Sequence, residues 1–379
     1  MKERRPWGRL GLGLAVILIV VLAGFLRNRA VRLLPVDFDE LTYLPAAFRY
    51  EEMLARGSWG QVAAFDDNLE HPPLNKLLFA ADLWVRNPKE PQWDALEVGR
   101  AIPLADQAAF LGPRRISAVG GALQVLLMTL VHPLAGLLLA LDTYHIKYCA
   151  QVYLEGVPGL MAVLAVFLFE RALVADGPKP NSSQPLRLRW SLLIPSAATL
   201  GLAAAGKYPY GIVGVVLLAF LLCRARSLRT VLLYSAAALL FFLLADPFLW
   251  PNPPGKLWES LTFHVRYSQS EHVVSSGMPW YSPFAHLLRA APTKWHPGVF
   301  YTGLADLIIL PLSLLGVPRA LRERPVWVAW AGFGLLFLTL WPTKWPQYIL
   351  LVLPPLTVCA GIGIEQIGLA VWTKMRRRA

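Results

Sequence analysis

The sequence predicts an all-α integral membrane protein with about ten transmembrane helices and a helical first extracytoplasmic loop. The 379 residues are 56% hydrophobic and only 16% charged, with a mean hydropathy of +0.47. A typical soluble domain is less apolar and carries more charge. Apolar runs also recur along the chain, and several approach the ~20 residues that cross a bilayer core. Together these observations exclude an ordinary soluble domain.

The first apolar segment, residues 11–26, predicts an uncleaved membrane anchor. Basic residues lie on both sides of it, and no small-x-small cleavage pattern follows, which disfavours a signal peptide. Several later segments are short, so tilted or partly re-entrant helices are expected among them. The remaining predicted spans are residues 116–131, 134–149, 157–174, 191–205, 209–223, 231–249, 302–318, 326–341 and 347–366.

Basic residues predict the orientation of the chain in a cell membrane. Lys and Arg cluster in alternate connecting segments, which the positive-inside rule places in the cytoplasm together with both termini. These segments are residues 1–10, 175–190, 224–230, 319–325 and 367–379. The net charge of +12 could also suit nucleic acid. No basic stripe is interleaved with exposed aromatics, however, so we expect no nucleic-acid partner.

The same alternation divides the chain into five parts. They are the anchor (1–26), the first extracytoplasmic loop (27–115), helices two to seven (116–249), a second large extracytoplasmic loop (250–301) and the last three helices with a basic tail (302–379). The three cysteines, Cys149, Cys223 and Cys359, lie in or beside apolar runs without metal-ligand spacing. They are expected to be buried free thiols, and no metal or cofactor is predicted.

Two motifs in the first loop are the most specific signals in the chain. Asp39-Glu40 follows the first span, and Glu70-His71-Pro72-Pro73-Leu74-Asn75-Lys76 comes later in the same loop. An acidic pair followed by His-Pro-Pro-Leu-x-Lys, in the first large loop of a multi-spanning protein, resembles the protein O-mannosyltransferases. More broadly it resembles the GT-C glycosyltransferases, including the aminoarabinose transferases. Weaker matches occur around Glu155, Lys207 and Lys344.

The resemblance implies an enzyme that takes a mannose-like sugar from a polyprenyl-phosphate carrier. Transfer would be inverting, to a hydroxyl of a protein or glycolipid, at the extracytoplasmic face of the lipid bilayer. This chemistry needs a base for the acceptor hydroxyl, and a partly dry site can raise the pKa of a carboxylate toward working pH. Asp39 is the candidate base, and Glu40 would orient the acceptor or the base.

The lipid phosphate would need cations near the membrane interface, where lysine stems can extend toward water. The candidates for donor-phosphate binding are Lys76, Lys207, Lys344 and His71, and those for sugar or acceptor binding are Glu155, Trp250 and Tyr348. The family usually carries an arginine five residues before its second acid. Here that position is Ala150, so other cations would have to hold the phosphate.

Each candidate also has a structural interpretation. Asp39-Glu40 fits an ordinary helix start, where the helix dipole favours acids, and Glu155 fits the same position of a later helix. Lys207 fits an interfacial anchor, and Trp250 and Trp295 fit an aromatic belt. Asp142 is either the partner of nearby Lys147 in a buried ion pair or a site residue.

Two other functions remain open. A transporter or flippase for a lipid-linked or polar substrate would place polar residues at mid-membrane, with broken helices in two related halves. The sequence shows no such halves, and its ionisable groups gather at the ends of spans on one face. A non-catalytic partner in envelope assembly would fit the topology but would leave Asp39 and Lys76 unexplained.

Overall fold

The computed structural model describes residues 6–174, 187–292 and 298–376, and helices make up nearly all of its regular structure. The exception is a short antiparallel pair in which Leu173–Val174 (β1) faces Arg187–Leu188 (β2). The predicted helical architecture is therefore confirmed. Several predicted features lie outside the described residues, namely residues 1–5 and 175–186 of two basic segments, Trp295, and the end of the basic tail at 377–379.

The helices alternate between long apolar elements and short elements in the connecting loops. In chain order the first nine are α1 (Pro6–Leu33), α2 (Glu40–Ala55), α3 (Trp59–Ala64), α4 (Leu74–Arg86), α5 (Gln107–Val131), α6 (Pro133–Leu141), α7 (Thr143–Tyr148), α8 (Gly156–Ala172) and α9 (Trp190–Gly206). The others are α10 (Val213–Ala225), α11 (Leu228–Ala245), α12 (Pro253–Ser268), α13 (Glu271–Ser275), α14 (Ser282–His286), α15 (Leu304–Glu323), α16 (Pro325–Leu340) and α17 (Leu353–Arg376). Short 3-10 segments precede α10 and α17, at Tyr208–Ile212 and Pro346–Leu351.

Five of the described helices, α1, α5, α11, α15 and α17, are long and apolar enough to cross a membrane. Shorter apolar helices occur at residues 190–206, 208–224 and 325–340. At 1.5 Å per residue, a helix of about 17 residues covers ~25 Å, slightly less than the ~30 Å hydrocarbon core. The chain is thus a membrane protein, whereas ten spans and their orientation stay predictions.

Helix α1 continues to Leu33 instead of ending at residue 26, because Arg27 does not act as a flanking surface charge. Its guanidinium is buried and donates to the carbonyl oxygens of Leu139 and Ala140 at 3.2 and 3.5 Å. Those carbonyls belong to the last turn of α6, where backbone acceptors lack helical partners and a cation is favoured. Arg27 also lies 2.6 Å from Nδ1 of His145 in α7. The predicted span 134–149 is accordingly broken between α6 and α7.

The start of α8 is fixed by close contact with α5. A Cβ atom on Gly120 of α5 would lie 2.7 Å from the backbone oxygen of Gly156. One on Gly156 would lie 2.6 Å from the oxygen of Ser117. Only glycine allows this approach, and it holds Glu155, the residue before α8, in the interior of the protein.

The outside of the bundle is apolar, as contact with lipid requires. Only 22% of the most apolar stretch of α1 and 17% of that of α11 is buried. Cys149 and Cys359 are buried free thiols as predicted, but Cys223 is free and exposed. The prediction of burial is wrong for Cys223 because its side of α10 belongs to this outer surface.

Candidate active site

Glu40 is the structural member of the acidic pair. Its carboxylate is fully buried and accepts hydrogen bonds from Arg114 at 2.5 and 2.7 Å. It also accepts from the backbone N–H groups of Val152 and Asp37, at 2.9 and 3.1 Å. Arg114 in turn donates to three carbonyl oxygens within residues 31–35, at the end of α1. Glu40 therefore fixes the segment that enters α2, and its oxygens are already occupied.

Asp37 is held ionised by its neighbours. Nζ of Lys147 lies 2.9 Å from its carboxylate, and the hydroxyl of Tyr153 donates to it at 2.7 Å. Burial alone would raise the pKa of Asp37, but Lys147 and Tyr153 outweigh burial and lower the pKa. A carboxylate with a depressed pKa is a poor proton acceptor near neutral pH.

Asp39 has the properties of a base. It directly precedes α2, but its side chain makes no capping hydrogen bond. Its carboxylate accepts one long hydrogen bond, from Nε2 of Gln347 at 3.4 Å. Burial raises the pKa of Asp39 to about 7, with Lys207 acting in the opposite direction. A carboxyl group that titrates near neutrality, and that few structural bonds occupy, is suited to proton transfer.

Lys207 and Glu155 form a buried ion pair across 52 residues of sequence. Lys207 directly follows α9 and Glu155 directly precedes α8, so the ends of two helices bring the charges together. The Lys207 ammonium also lies 5.0 Å from the ring centre of Tyr348. Oε2 of Glu155 has no hydrogen-bond partner among the described residues. A buried oxygen without a partner is rare in native proteins and is a natural contact for a ligand.

A narrow cleft, with a cavity volume of about 10 Å³, lies against this ion pair. Its polar lining includes Glu155, Lys207, Gln347 and Tyr348, and Trp341 contributes to its apolar lining. This volume is about that of one water molecule and far below the ~300–1,000 Å³ typical of small-molecule sites, so a sugar or a phosphate can enter only if the cleft widens. Because Gln347 also donates to Asp39, the candidate base is joined to the cleft. The structure thus brings together four predicted site residues: Asp39, Glu155, Lys207 and Tyr348.

The His-Pro-Pro loop folds around its own lysine. Nζ of Lys76 donates to the carbonyl oxygens of Asn68 and His71 at 3.1 and 3.0 Å, and more weakly to that of Asp67. Burial lowers the pKa of Lys76 to about 8. Burial and nearby Lys207 lower the pKa of His71 well below its usual value, so His71 is neutral. The structure therefore shows Lys76 holding a loop, and its role toward phosphate stays a prediction.

Two other predicted residues do not line the cleft. Lys344 donates to the carbonyl oxygen of Trp341 at 2.7 Å. Trp250 is 46% exposed and stacks on Trp59 with ring centres 6.3 Å apart. Their roles in phosphate and sugar binding also stay predictions.

Asp142 does not form the ion pair with Lys147 that was one of its two interpretations, and its role as a site residue stays a prediction. Its carboxylate accepts from the backbone N–H of His145 at 2.7 Å, and it shares a hydrogen bond with the carboxyl of Asp306. Lys147, the expected partner, pairs with Asp37 instead. Asp142 is therefore part of the structural contact between α7 and α15.

Sequence reasoning missed four residues that the structure places around Asp39. Arg114, Lys147 and Gln347 contact the acidic segment, and His272 stacks between Phe38 and Trp345, with ring centres 6.4 and 5.4 Å away. Gln347 carried a signal, since it lies between the predicted site residues Lys344 and Tyr348, whereas Lys147 was named only as a possible partner of Asp142. Within the described ranges, no group of three or more His, Cys, Asp or Glu side chains is arranged to hold a metal ion.

Comparison with known proteins finds matches among solved structures only. No protein-family model matches the sequence, and no curated protein matches it. ArnT from Cupriavidus metallidurans bound to undecaprenyl phosphate superposes with a TM-score of 0.59, at 17% identity, over 95% of this chain and 61% of that one. The Archaeoglobus fulgidus oligosaccharyltransferase in the apo form superposes with a TM-score of 0.53, at 12% identity, over 96% of this chain and 52% of that one.

Both proteins are members of the GT-C superfamily. The chain has the GT-C fold. This confirms the predicted resemblance in architecture, although identities of 12–17% carry no further than the fold. The chain spans only 61% of the length of ArnT and 52% of that of the oligosaccharyltransferase.

Proposed function

We propose that the protein is a membrane glycosyltransferase that moves a sugar from a polyprenyl-phosphate carrier to an acceptor hydroxyl. The observation that carries this proposal is the joining of Asp39, through Gln347, to a cleft that contains the buried Lys207–Glu155 pair. A base and a cation beside one cavity are what the reaction requires. Structures of GT-C neighbours with undecaprenyl phosphate and with dolichol-phosphate support a lipid phosphate as leaving group.

In the proposed reaction, Asp39 accepts the proton of the acceptor hydroxyl. The acceptor oxygen attacks the anomeric carbon directly, the bond from that carbon to the phosphate oxygen breaks, and polyprenyl phosphate leaves with the electron pair. A single displacement inverts the anomeric configuration. A positioned base of this kind contributes typically ~10²–10⁴ in rate. Glu40 contributes by positioning, because its contacts with Arg114 and Asp37 hold the segment that carries Asp39.

The cation that meets the leaving phosphate is Lys207. In the structure its charge is balanced by Glu155, whose second oxygen has no partner in the described part of the chain. A phosphate in the cleft would share the ammonium, and Glu155 would then be free to accept a sugar hydroxyl. Fixed cations at a developing negative charge are a large source of catalysis in sites that exclude water. Tyr348 lies over the same ammonium and forms a wall of the sugar site.

The outer parts of the proposed site rest on the sequence motifs. Lys76, His71 and Lys344 would complete phosphate binding after rearrangement of their present backbone contacts, and Trp250 would contact the acceptor. The mannose-like sugar and a protein or glycolipid acceptor are likewise carried by the resemblance to the O-mannosyltransferases. The distribution of basic segments supports an extracytoplasmic location for the cleft.

Transport of a lipid-linked substrate is the second candidate, and one observation favours it. Arg27, His145 and Gln124 form a buried polar chain beside the break between α6 and α7, as intramembrane sites of transporters often do. Arg27, however, donates to the carbonyls that the break exposes. The chain of contacts is therefore accounted for by the architecture.

The test uses purified protein in nanodiscs with undecaprenyl-phosphate-mannose and host membranes as the source of acceptor. We expect undecaprenyl phosphate to form with wild type, measured by mass spectrometry. Lys207→Met should reduce the rate by ~10²-fold or more, because a fixed cation is lost at the leaving group. Lys89→Met, in an exposed loop, is the matched control and should retain activity.

Two results would contradict the proposal. One is donor that crosses a bilayer of proteoliposomes uncleaved, which is the behaviour of a flippase. The other is equal release of undecaprenyl phosphate by wild type and Lys207→Met.

A further inference from the structure

Helix α12 (Pro253–Ser268) is attached to the His-Pro-Pro loop by one of its faces. Oγ of Ser260 donates to the carbonyl oxygen of Leu69 at 2.6 Å, and Nε2 of His264 contacts that of Glu70 at 3.0 Å. Lys76 binds other carbonyls of the same loop. The loop is therefore held from two sides, by α12 and by Lys76.

A second face of α12, roughly 110° around the helix from Ser260 and His264, is apolar and exposed. Pro254, Trp258, Leu261 and Val265 follow one another at helical spacing, and at ~100° per residue they fall within an arc of roughly 60°. Trp258 is 69% exposed, Leu261 41% and Val265 54%. No charged residue lies in this arc, which we call the α12 stripe. A continuous apolar stripe of this kind marks a contact surface.

The position of the α12 stripe along the chain indicates its partner. Helix α11 is mostly exposed and apolar, and it ends at Ala245, only a short segment before α12. Trp250 lies in that segment, and its Nε1 donates to the carbonyl oxygen of Leu243 at 2.7 Å. Trp250 also stacks on exposed Trp59. Tryptophans concentrate at the membrane–water interface, so the stripe continues the lipid-facing surface of α11 at its end.

We propose that α12 lies in the plane of the membrane interface, with its stripe in contact with the acyl chains of one leaflet. Amphipathic interfacial helices bury an apolar face by ~5–10 Å at the headgroup boundary. The bonds from Ser260 and His264 then fix the His-Pro-Pro loop at a set depth. If the proposed function holds, this depth brings the cleft level with the phosphate of the lipid-linked donor, and leaflet contact becomes part of donor binding.

The direct test measures the depth of single positions on α12. In a Cys223→Ser background, which removes the exposed native thiol, Val265→Cys and Arg266→Cys are labelled with an environment-sensitive fluorophore. The protein is placed in phosphatidylcholine nanodiscs, with or without a lipid that carries a nitroxide near its headgroup. We expect the nitroxide lipid to quench the label at 265 far more than the label at 266. Aqueous iodide should show the opposite order.

Quenching of position 265 by iodide as strongly as 266 would overturn the proposal, because the stripe would then face water. Shielding of 265 from both quenchers would also overturn it, since a protein partner or a second copy would then cover the stripe. Neither measurement needs catalysis, so failure here is separate from failure of the transferase assay.

A kinetic comparison tests the consequence for donor binding. Val265→Asp should raise the KM for the lipid-linked donor severalfold and leave kcat nearly unchanged, whereas Val265→Ile should restore wild-type values. Loss of kcat in a folded Val265→Asp protein, with KM unchanged, would contradict a role in donor positioning.

Discussion

At the scale of single residues, three neighbouring carboxylates have different environments. Glu40 is buried and fully hydrogen-bonded, and Asp37 is ion-paired with a lowered pKa. Asp39 makes one weak side-chain bond and has its pKa raised to about 7. Environments that push neighbouring pKa values apart separate structural acids from catalytic ones. The assignment of the base therefore rests on contacts as well as on the motif.

The Glu40–Arg114 pair should be a large contributor to stability. Arg114→Met leaves the Glu40 carboxylate buried without its cation, so the free energy of unfolding should fall by ~3–5 kcal/mol. Arg56→Met breaks an exposed pair with Glu52 and should cost only about 0.3–0.5 kcal/mol. Unfolding of both variants in the same detergent provides the measurement. Equal losses would show that the buried pair has no special role.

Part of the candidate site could be predicted from the sequence. Asp39 could be predicted, because the acidic pair and the His-Pro-Pro string lie close together in one loop. Glu155, Lys207 and Tyr348 were found as acids, bases and aromatics at the ends of spans. The pairing of Lys207 with Glu155, and of Lys147 with Asp37, could not be predicted. Each joins residues that are far apart in the sequence, and only tertiary packing decides which charge meets which.

At the scale of helices, glycines set the closest contacts. A Cβ atom on Gly316 of α15 would come well within 3.0 Å of the backbone oxygen of Cys359. One on Gly363 of α17 would do the same at Leu312. Small residues that let backbones approach are a common basis of helix association in membranes. The α15–α17 contact is therefore built on backbone proximity.

Adding a methyl group at this contact should separate the two helices. We expect Gly316→Ala to lower the free energy of unfolding by ~1–3 kcal/mol, the usual cost of overpacking. Gly332→Ala in α16 is the control, because its new Cβ meets nothing within 4 Å. That change should be neutral or should stabilise by up to ~1 kcal/mol, since alanine favours helix. A Gly316→Ala protein as stable as the control would contradict the packing account.

The positions of the helices could be predicted from the apolar runs, but the residues at which the helices begin and end could not. The run at 134–149 gave no sign of the break at Asp142, and Arg27 was assigned to the first extracytoplasmic loop instead of to the first helix. Both errors have one cause, because the buried guanidinium binds the carbonyls that the break exposes. A charge inside an apolar run normally marks a helix end, and only its distant partners show otherwise.

At the scale of the whole molecule, the account requires one face to carry the cleft and the other to carry the basic segments. Single cysteines in a Cys223→Ser background test this arrangement. Exposed positions 89 and 276 should react with an impermeant thiol reagent added to intact cells, and exposed position 322 should react only after lysis. Labelling at 322 from outside would reverse the orientation and place the cleft in the cytoplasm.

The central claim is that Asp39 is the base of a sugar transfer from polyprenyl phosphate. The most direct test is the pH dependence of kcat/KM for purified wild type and Asp39→Asn. Because a base acts in its deprotonated form and the pKa of Asp39 is about 7, the wild-type rate should rise with pH and level off above that value. Asp39→Asn should fold normally, lose ~10²-fold or more of the activity and show no such rise. An Asp39→Asn enzyme within about threefold of wild type, with an unchanged pH profile, would contradict the claim.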